Sequence, residues 1–308
     1  MIFPFCVYAL FASTLIVNKF LLQTLPVNTF VSIRLLASTP LVAISLWGLV
    51  RSRFFQLKQD FLLLLFITAS TIVIPGLLKA YGLQNLYASK VILLGCLDQV
   101  ITALYAWWIF NESLTRTKCI GIVNVLVGIV LLCFFDEWKP NAHFLIFSLP
   151  ELAILVYVLV VRLGWMMAQR LLKHHRYTPT ELNTLMIGIG GILSLVVLGP
   201  NGYGALIKYS FWTNTKILMF LYSIIIGTIV SKILYGHLLK RHGANFVTLS
   251  GFLEPLFVIA LGWLFLGEQW PLHNIIPAVF IVTGVYLFYR EECKTTSCHR
   301  TRYQIPLR

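Results

Sequence analysis

The sequence predicts an all-α integral membrane protein: ten transmembrane helices as two inverted five-helix repeats, with both termini cytoplasmic. Three observations carry this. The chain is too apolar for water, its apolar runs have membrane length, and its second half repeats its first. Of 308 residues, 58% are hydrophobic and 11% are charged, with a mean hydropathy of +0.84. A soluble domain is nearer one quarter charged. So apolar a chain has too little polar surface to cover itself in water, which makes a bilayer its solvent.

A spanning helix needs about 20 apolar residues. Ten such runs follow one another, at about 2–22, 27–50, 61–82, 86–110, 115–135, 147–170, 181–200, 215–238, 244–266 and 272–290. The links are too short for a soluble domain. Several hold turn or breaker signals: Leu25-Pro26, Lys139-Pro140-Asn141, Thr178-Pro179-Thr180 and Gly199-Pro200-Asn201-Gly202. The start, MIFPFCVYALFASTLIV, has no basic stretch ahead of its apolar run and reads as an uncleaved first span. The expected organisation is 1–140 as the first five-helix repeat, 141–290 as the second, and 291–308 as a basic cytoplasmic tail.

Lysine and arginine in the links set the orientation. With the N-terminus inside, the inner segments hold Arg51, Arg53, Lys58, Arg116, Lys118, Arg170, Lys173, Arg176, Lys240, Arg241 and five cations from Arg290 onward. The outer links hold Lys139, Lys208 and Lys216. That bias places both ends in the cytoplasm and the protein in the cytoplasmic membrane, inner or plasma. It also accounts for most of the net charge of +13, so no nucleic-acid partner is implied.

The repeat appears on shifting the chain by 156 residues. LQNLYASKVILLGCLDQVITALYAWWIFNESL (83–114) then falls without a gap on LKRHGANFVTLSGFLEPLFVIALGWLFLGEQW (239–270). Gly95 meets Gly251, Trp107 meets Trp263, Glu112 meets Glu268, Gly128 meets Gly284, and Asp98 meets Glu254. Leucine coincidences mean little in apolar helices; paired glycines, tryptophans and acids in one register mean more. The copies lie five spans apart, an odd number, so they run in opposite directions. Inverted repeats are an architecture of secondary transporters, with the site near the midplane.

At these residues the chain resembles the drug/metabolite transporter superfamily, EamA type. The resemblance rests on LGWLFLGEQW with its helix-closing Gly267-Glu268, on FLEPLF (252–257), on ALYAWWIFNESL (103–114) and on SIRLLAS (32–38). It covers nearly all of the chain up to about residue 290. It implies a central cavity lined largely by spans 3, 4, 8 and 9, and leaves the substrate open. One departure is that Asp98-Gln99 stands where the first half of that family often has a proline.

Depth singles out the site candidates. Glu254 lies at the centre of span 9, and Asp98 at the centre of span 4. A carboxylate there is costly unless it faces a cavity or a partner, so both are candidates for substrate binding and for proton coupling. The alternative is a structural hydrogen bond. Pro255 removes a backbone donor and bends its helix.

Six cations also lie within spans: Lys19, Arg34, Lys79, Lys90, Arg162 and Lys232. Lys19 and Lys90 sit near outer ends and are read as snorkelling to the interface. Lys79 follows Pro75-Gly76, an expected kink. Lys232 has Gly76 as its register partner, so each half is expected to set a lysine near an acid. Internal ion pairs are one reading. The other is an amphoteric site, in which Lys79, Lys232 and Arg34 meet a carboxylate or phosphate while Glu254 and Asp98 meet an ammonium, a sulfonium or a proton. Tyr81 and Tyr235 are added as candidate lining residues.

The expected function is therefore secondary active transport of a small polar, amphoteric metabolite, an amino acid or an S-adenosylmethionine-like compound. It proceeds by alternating access, with proton coupling or exchange. The alternatives are a drug or toxic-compound efflux carrier and, from another class, a non-transporting membrane receptor or assembly protein. The partners are the metabolite and the lipid bilayer, in a monomer or homodimer. An enzyme is not expected: no H-E-x-x-H and no G-x-S-x-G occurs. No cofactor or metal is expected either, since CKTTSCH (293–299) is half a site at most.

Lower-ranked residues have structural readings. Trp107, Trp108, Trp263 and Trp270 suit interface anchoring. Gly188, Gly190 and Gly191 suit close helix packing. Glu112 and Glu268 suit helix ends, and Glu151 and Glu181 suit helix N-termini.

Overall fold

The computed structural model describes residues 2–98, 100–101, 104–105, 115–136, 148–173, 177–207, 213–238, 251, 253–267, 275–284 and 286–287. Among them the regular structure is entirely helical: α1 (Ile2–Leu22), α2 (Val27–Ser52), α3 (Phe54–Thr68), α4 (Ile74–Asn85), α5 (Ala88–Gly95), α6 (Arg116–Asp136), α7 (Leu149–Lys173), α8 (Pro179–Ile207), α9 (Asn214–Tyr222) and α10 (Leu253–Leu261), then α11 (Ile275–Gly284).

Six helices are long and apolar enough to cross a membrane: Phe5–Leu22, Val27–Ser52, Phe55–Asn85, Leu149–Leu172, Pro179–Leu198 and Asn214–Leu238. They coincide with expected spans 1, 2, 3, 6, 7 and 8. Shorter apolar helices at Cys119–Leu131, Glu254–Leu266 and Ile275–Gly284 fall on spans 5, 9 and 10, and α5 falls on span 4. The rest of the expectations for those four spans, including Gln99, Trp107, Trp108, Glu112, Glu268 and Trp270, lie outside the described residues, as does the tail 291–308. Large apolar side chains such as Ile44, Phe55, Leu62 and Val196 are strongly exposed, as lipid-facing residues must be. Trp263 is exposed as well.

The expected kink at Pro75-Gly76 takes a specific form. A π turn at Ala69–Val73 joins α3 to α4, and the amide of Ile74 donates to the Ala69 carbonyl five residues back. Ser70 Oγ and Thr71 Oγ1 each donate to carbonyls four residues back, both at 2.6 Å. Hydroxyl back-bonding of this kind bends a helix. It lies just before Pro75, whose nitrogen cannot donate. A second π turn, Ser223–Val230, joins α9 to the helical residues 231–238. A third, Gly262–Leu266, ends at Gly267 in the left-handed conformation (φ 63°), whose amide caps the Gly262 carbonyl. A residue with no Cβ suits that position.

The chain divides into two compact units. The first comprises Met1–Ile92 with Leu149–Glu268, and the second Leu93–Ser148 with Gln269–Arg308. In the first, α2 lies along α8, α4 along α7 and α1 along α10. Glycines permit the closest of these contacts: a Cβ at Gly191 would stand 2.1 Å from Thr39 Oγ1, and one at Gly188 2.6 Å from Leu46 Cδ2. In the second unit, α6 and α11 meet through reciprocal glycines. A Cβ at Gly128 would stand 2.9 Å from the Pro277 carbonyl oxygen, and one at Gly284 2.6 Å from that of Gly121. Overpacking a close contact typically costs about 1–3 kcal/mol. Gly128→Leu and Gly284→Leu are therefore expected to lower the melting temperature of the detergent-solubilised protein. Gly48→Ala, where a Cβ meets nothing within 4 Å, should leave it unchanged.

Candidate functional site

Four cations and one acid come together in the first unit. Arg34 sits on α2, Lys79 on α4, Arg162 on α7, Lys232 just past the second π turn, and Glu254 at the second position of α10. The charges of Arg34, Lys79 and Lys232 act on one another, and Lys79 and Glu254 attract each other. Among the described residues none of these three cations forms an ion pair within 4 Å. Aromatic faces take up part of the load: Arg34 Cζ lies 5.3 Å from the centroid of Phe30, and Lys79 Nζ lies 5.5 Å from that of Tyr157. The Nε of Arg34 is buried without a hydrogen-bond partner.

Glu254 has aromatic neighbours. Its charge acts on Tyr8 and Tyr235, and Tyr235 is also hydrogen-bonded to Arg162. The Tyr235 ring lies 4.8 Å from Trp165 and 6.0 Å from Phe11. Tyr8, Phe11, Tyr157 and Trp165 were not singled out by the sequence. The signal available was spacing: Tyr8 and Phe11, like Arg162 and Trp165, stand three apart and so share a helix face.

The structure thus brings Arg34, Lys79, Lys232, Tyr235 and Glu254 together. It does not bring Tyr81 to them. Tyr81 lies two residues past Lys79, about 200° round the helix, and is 38% exposed. Asp98 belongs to the second unit, where it is half-buried. Lys79 has Glu254 acting on it, whereas Lys232 faces the like charges of Arg34 and Lys79; Tyr235 occupies the position equivalent to Lys79. Among the described residues no cluster of three or more His, Cys, Asp or Glu side chains could hold a metal ion.

Lys19 and Lys90 do not snorkel. Lys90 is 5% exposed and pairs with Glu151, itself 1% exposed. Lys19 Nζ donates to the carbonyls of Leu83 (3.3 Å) and Leu86, closing the C-terminal end of α4. A separate polar cluster joins Tyr177, whose hydroxyl donates to Asp60 Oδ2 at 3.1 Å, to Arg53 and Glu181, paired at 3.1 Å. Thr178 and Glu181 form a reciprocal capping box at the start of α8, with hydrogen bonds of 2.7 and 3.2 Å.

With the helices and the charged cluster described, comparison with known proteins decides the family. The EamA-like transporter family matches residues 1–134 and 148–290. The chain belongs to that family. Two relatives are S-adenosylmethionine/S-adenosylhomocysteine transporters. That of Chlamydia muridarum is 25% identical over 269 residues, covering 82% of this chain and 80% of the relative. That of Chlamydia trachomatis serovar L2 is 25% identical over 228 residues, covering 71% and 67%. A solved crystal structure, 14% identical, shares the fold at a TM-score of 0.59 over 92% of this chain and 94% of its own. This EamA-family chain is a multi-pass membrane protein, and its relatives are transporters of small metabolites.

The buried pair supplies a stability test. Removing one partner of a buried ion pair strands the other charge, at about 3–5 kcal/mol, whereas replacing both with apolar residues is often neutral. Lys90→Met and Glu151→Leu are each expected to depress the melting temperature sharply. The double variant should recover most of the loss.

Proposed function

We propose that this EamA-family protein is a secondary active transporter for a small amphoteric metabolite, S-adenosylmethionine or S-adenosylhomocysteine in the first instance. The observation that carries the reading is the charge arrangement among the described residues: three cations within reach of one another that form no ion pair within 4 Å, and an acid, Glu254, set among aromatic rings. S-Adenosylmethionine has a carboxylate, an ammonium, a sulfonium and an adenine. The carboxylate would neutralise part of the charge of Arg34, Lys79 and Lys232. Glu254 would hold the ammonium or sulfonium, or carry a coupling proton, and Asp98, its repeat equivalent, is the second candidate for that role. A lipophilic cation would find acid and aromatics here, but also an opposing excess of positive charge.

In this reading the chain is ten spans in two inverted halves, 1–140 and 141–290, with both termini cytoplasmic, in the cytoplasmic membrane. Two features support it. The packing partners exchange under the 156-residue shift: α1 with the second π turn corresponds to α7 with the first, and α2 with α8 maps onto itself. The π turns also share a register, since 69–73 maps to 225–229, within Ser223–Val230. Each turn precedes a candidate lysine, and helix irregularities of this kind recur at functional sites. The halves rock about the site and expose it to one side at a time.

The test is counterflow in proteoliposomes with labelled S-adenosylmethionine, S-adenosylhomocysteine, amino acids, nucleosides and a lipophilic cation. Exchange of the first two is the expected result. Signal with the lipophilic cation alone would mean drug efflux, and no signal from well-folded protein would favour a non-transporting role. If Glu254 carries a coupling proton, Glu254→Gln abolishes accumulation driven by a proton gradient while exchange persists. A variant that still concentrates substrate under the gradient removes Glu254 from that role.

A further inference from the structure

The two compounds named for the relatives differ at sulfur by one methyl group and one positive charge. A carrier that takes both must read what they share: the amino-acid end and the adenosyl group. The cations and Glu254 are suited to the charged end. They offer nothing of comparable strength to a neutral purine.

The first unit holds an uncharged surface beside those charges. Trp165 and Tyr235 meet at 4.8 Å with their planes at 59°, and Phe11 meets Tyr235 edge-on at 6.0 Å and 77°. The three rings come from α7, residues 231–238 and α1, so they form a contact between helices and not a stripe along one. Each is half-buried, with part of its surface open. The set is anchored on both sides: Arg162, one turn before Trp165, is hydrogen-bonded to Tyr235, and Glu254 acts on Tyr235 from α10. A flat ring held beside charged groups offers stacking that is indifferent to the charge at sulfur.

We propose that Trp165, with Tyr235 and Phe11, forms the subsite for the adenine ring of the substrate, and that it reads the purine and not the sulfonium. The proposal rests on the substrate reading above. Trp165 then sets selectivity for nucleoside-bearing amino acids over simple ones, and does so equally for the charged and uncharged sulfur compounds. A cation–π role for the same ring would instead favour the sulfonium form.

The experiment measures KM and maximal rate of exchange for S-adenosylmethionine and S-adenosylhomocysteine in proteoliposomes. It uses wild-type protein, Trp165→Leu and Trp165→Phe, each checked by size-exclusion profile. Base–aromatic stacks removed by substitution cost roughly tenfold to a hundredfold in affinity. The expected result is a rise in KM of that order in Trp165→Leu, equal for both compounds, with maximal rate little changed and most of the affinity restored in Trp165→Phe. No rise, a rise confined to S-adenosylmethionine, or a loss of rate that phenylalanine does not rescue each overturns the proposal. A second measurement needs no variant. S-Methylmethionine keeps the carboxylate, ammonium and sulfonium and lacks the adenosyl group. It should compete with wild-type exchange at least tenfold more weakly than S-adenosylmethionine, and equal competition overturns the subsite. Wild-type protein that exchanges neither compound overturns the substrate reading and this one with it; normal exchange with an indifferent Trp165 overturns this one alone.

Discussion

The structure turns on holding Arg34, Lys79 and Lys232 within reach of one another in the first unit, with Glu254 as the acid that acts on Lys79. Moving an ion out of water costs several kcal/mol even after relaxation, and like charges at close range add to that. One carboxylate cannot balance three cations. Phe30 and Tyr157 offset part of the cost through their ring faces. Among the described residues what remains is a positive excess that an anionic group would relieve.

The bilayer explains why those charges stand out. Most hydroxyls within the spans are occupied by their own helices: Thr14 donates to Phe11 O, Ser38 to Leu35 O, Thr68 to Leu64 O and Ser194 to Gly191 O. Two contacts cross between helices, Ser13 with Tyr222 at 2.8 Å and Ser223 with Asn18 at 2.5 Å, and both tie α1 to the second π turn region. Two buried hydroxyls stand apart: among the described residues Ser32 and Ser231 Oγ have no hydrogen-bond partner, and they lie two residues from Arg34 and one from Lys232.

The same physics decided what the sequence made legible. In a chain with 11% charged residues, an acid at the centre of an apolar run is conspicuous, so Glu254 and the cations around it could be named beforehand. The partners could not. Lys90 sits near a span end, and only the structure shows that it pairs with Glu151 at the start of α7. Tyr81 and Lys79 are two residues apart, yet which face of α4 turns inward depends on its neighbours. Trp165 and Phe11 were hidden by abundance: with 22 phenylalanines, 13 tyrosines and 8 tryptophans, an aromatic residue is no signal by itself. The π turns left no mark beyond the proline that follows the first.

In the proposed two-repeat reading, the departures from the repeat carry the candidate chemistry. Under the 156-residue shift Lys232 falls on Gly76, Arg34 on Gly190, and Lys79 on Tyr235. Each cation has an uncharged counterpart. A Cβ at Gly76 would stand 3.4 Å from Val31 Cγ1 and 3.9 Å from Arg34 Nη2, so its absence leaves room beside the guanidinium. A Cβ at Gly190 would make ordinary contacts, 3.6 Å from Thr68 Cγ2 and 3.8 Å from Leu35 Cδ2. An amphoteric molecule has unlike ends, and a site with the same residue at equivalent positions would bind it equally well in either sense. Cations set against glycines, and a lysine against a tyrosine, make equivalent positions unlike, and in the reading proposed above an amphoteric substrate would take one preferred orientation.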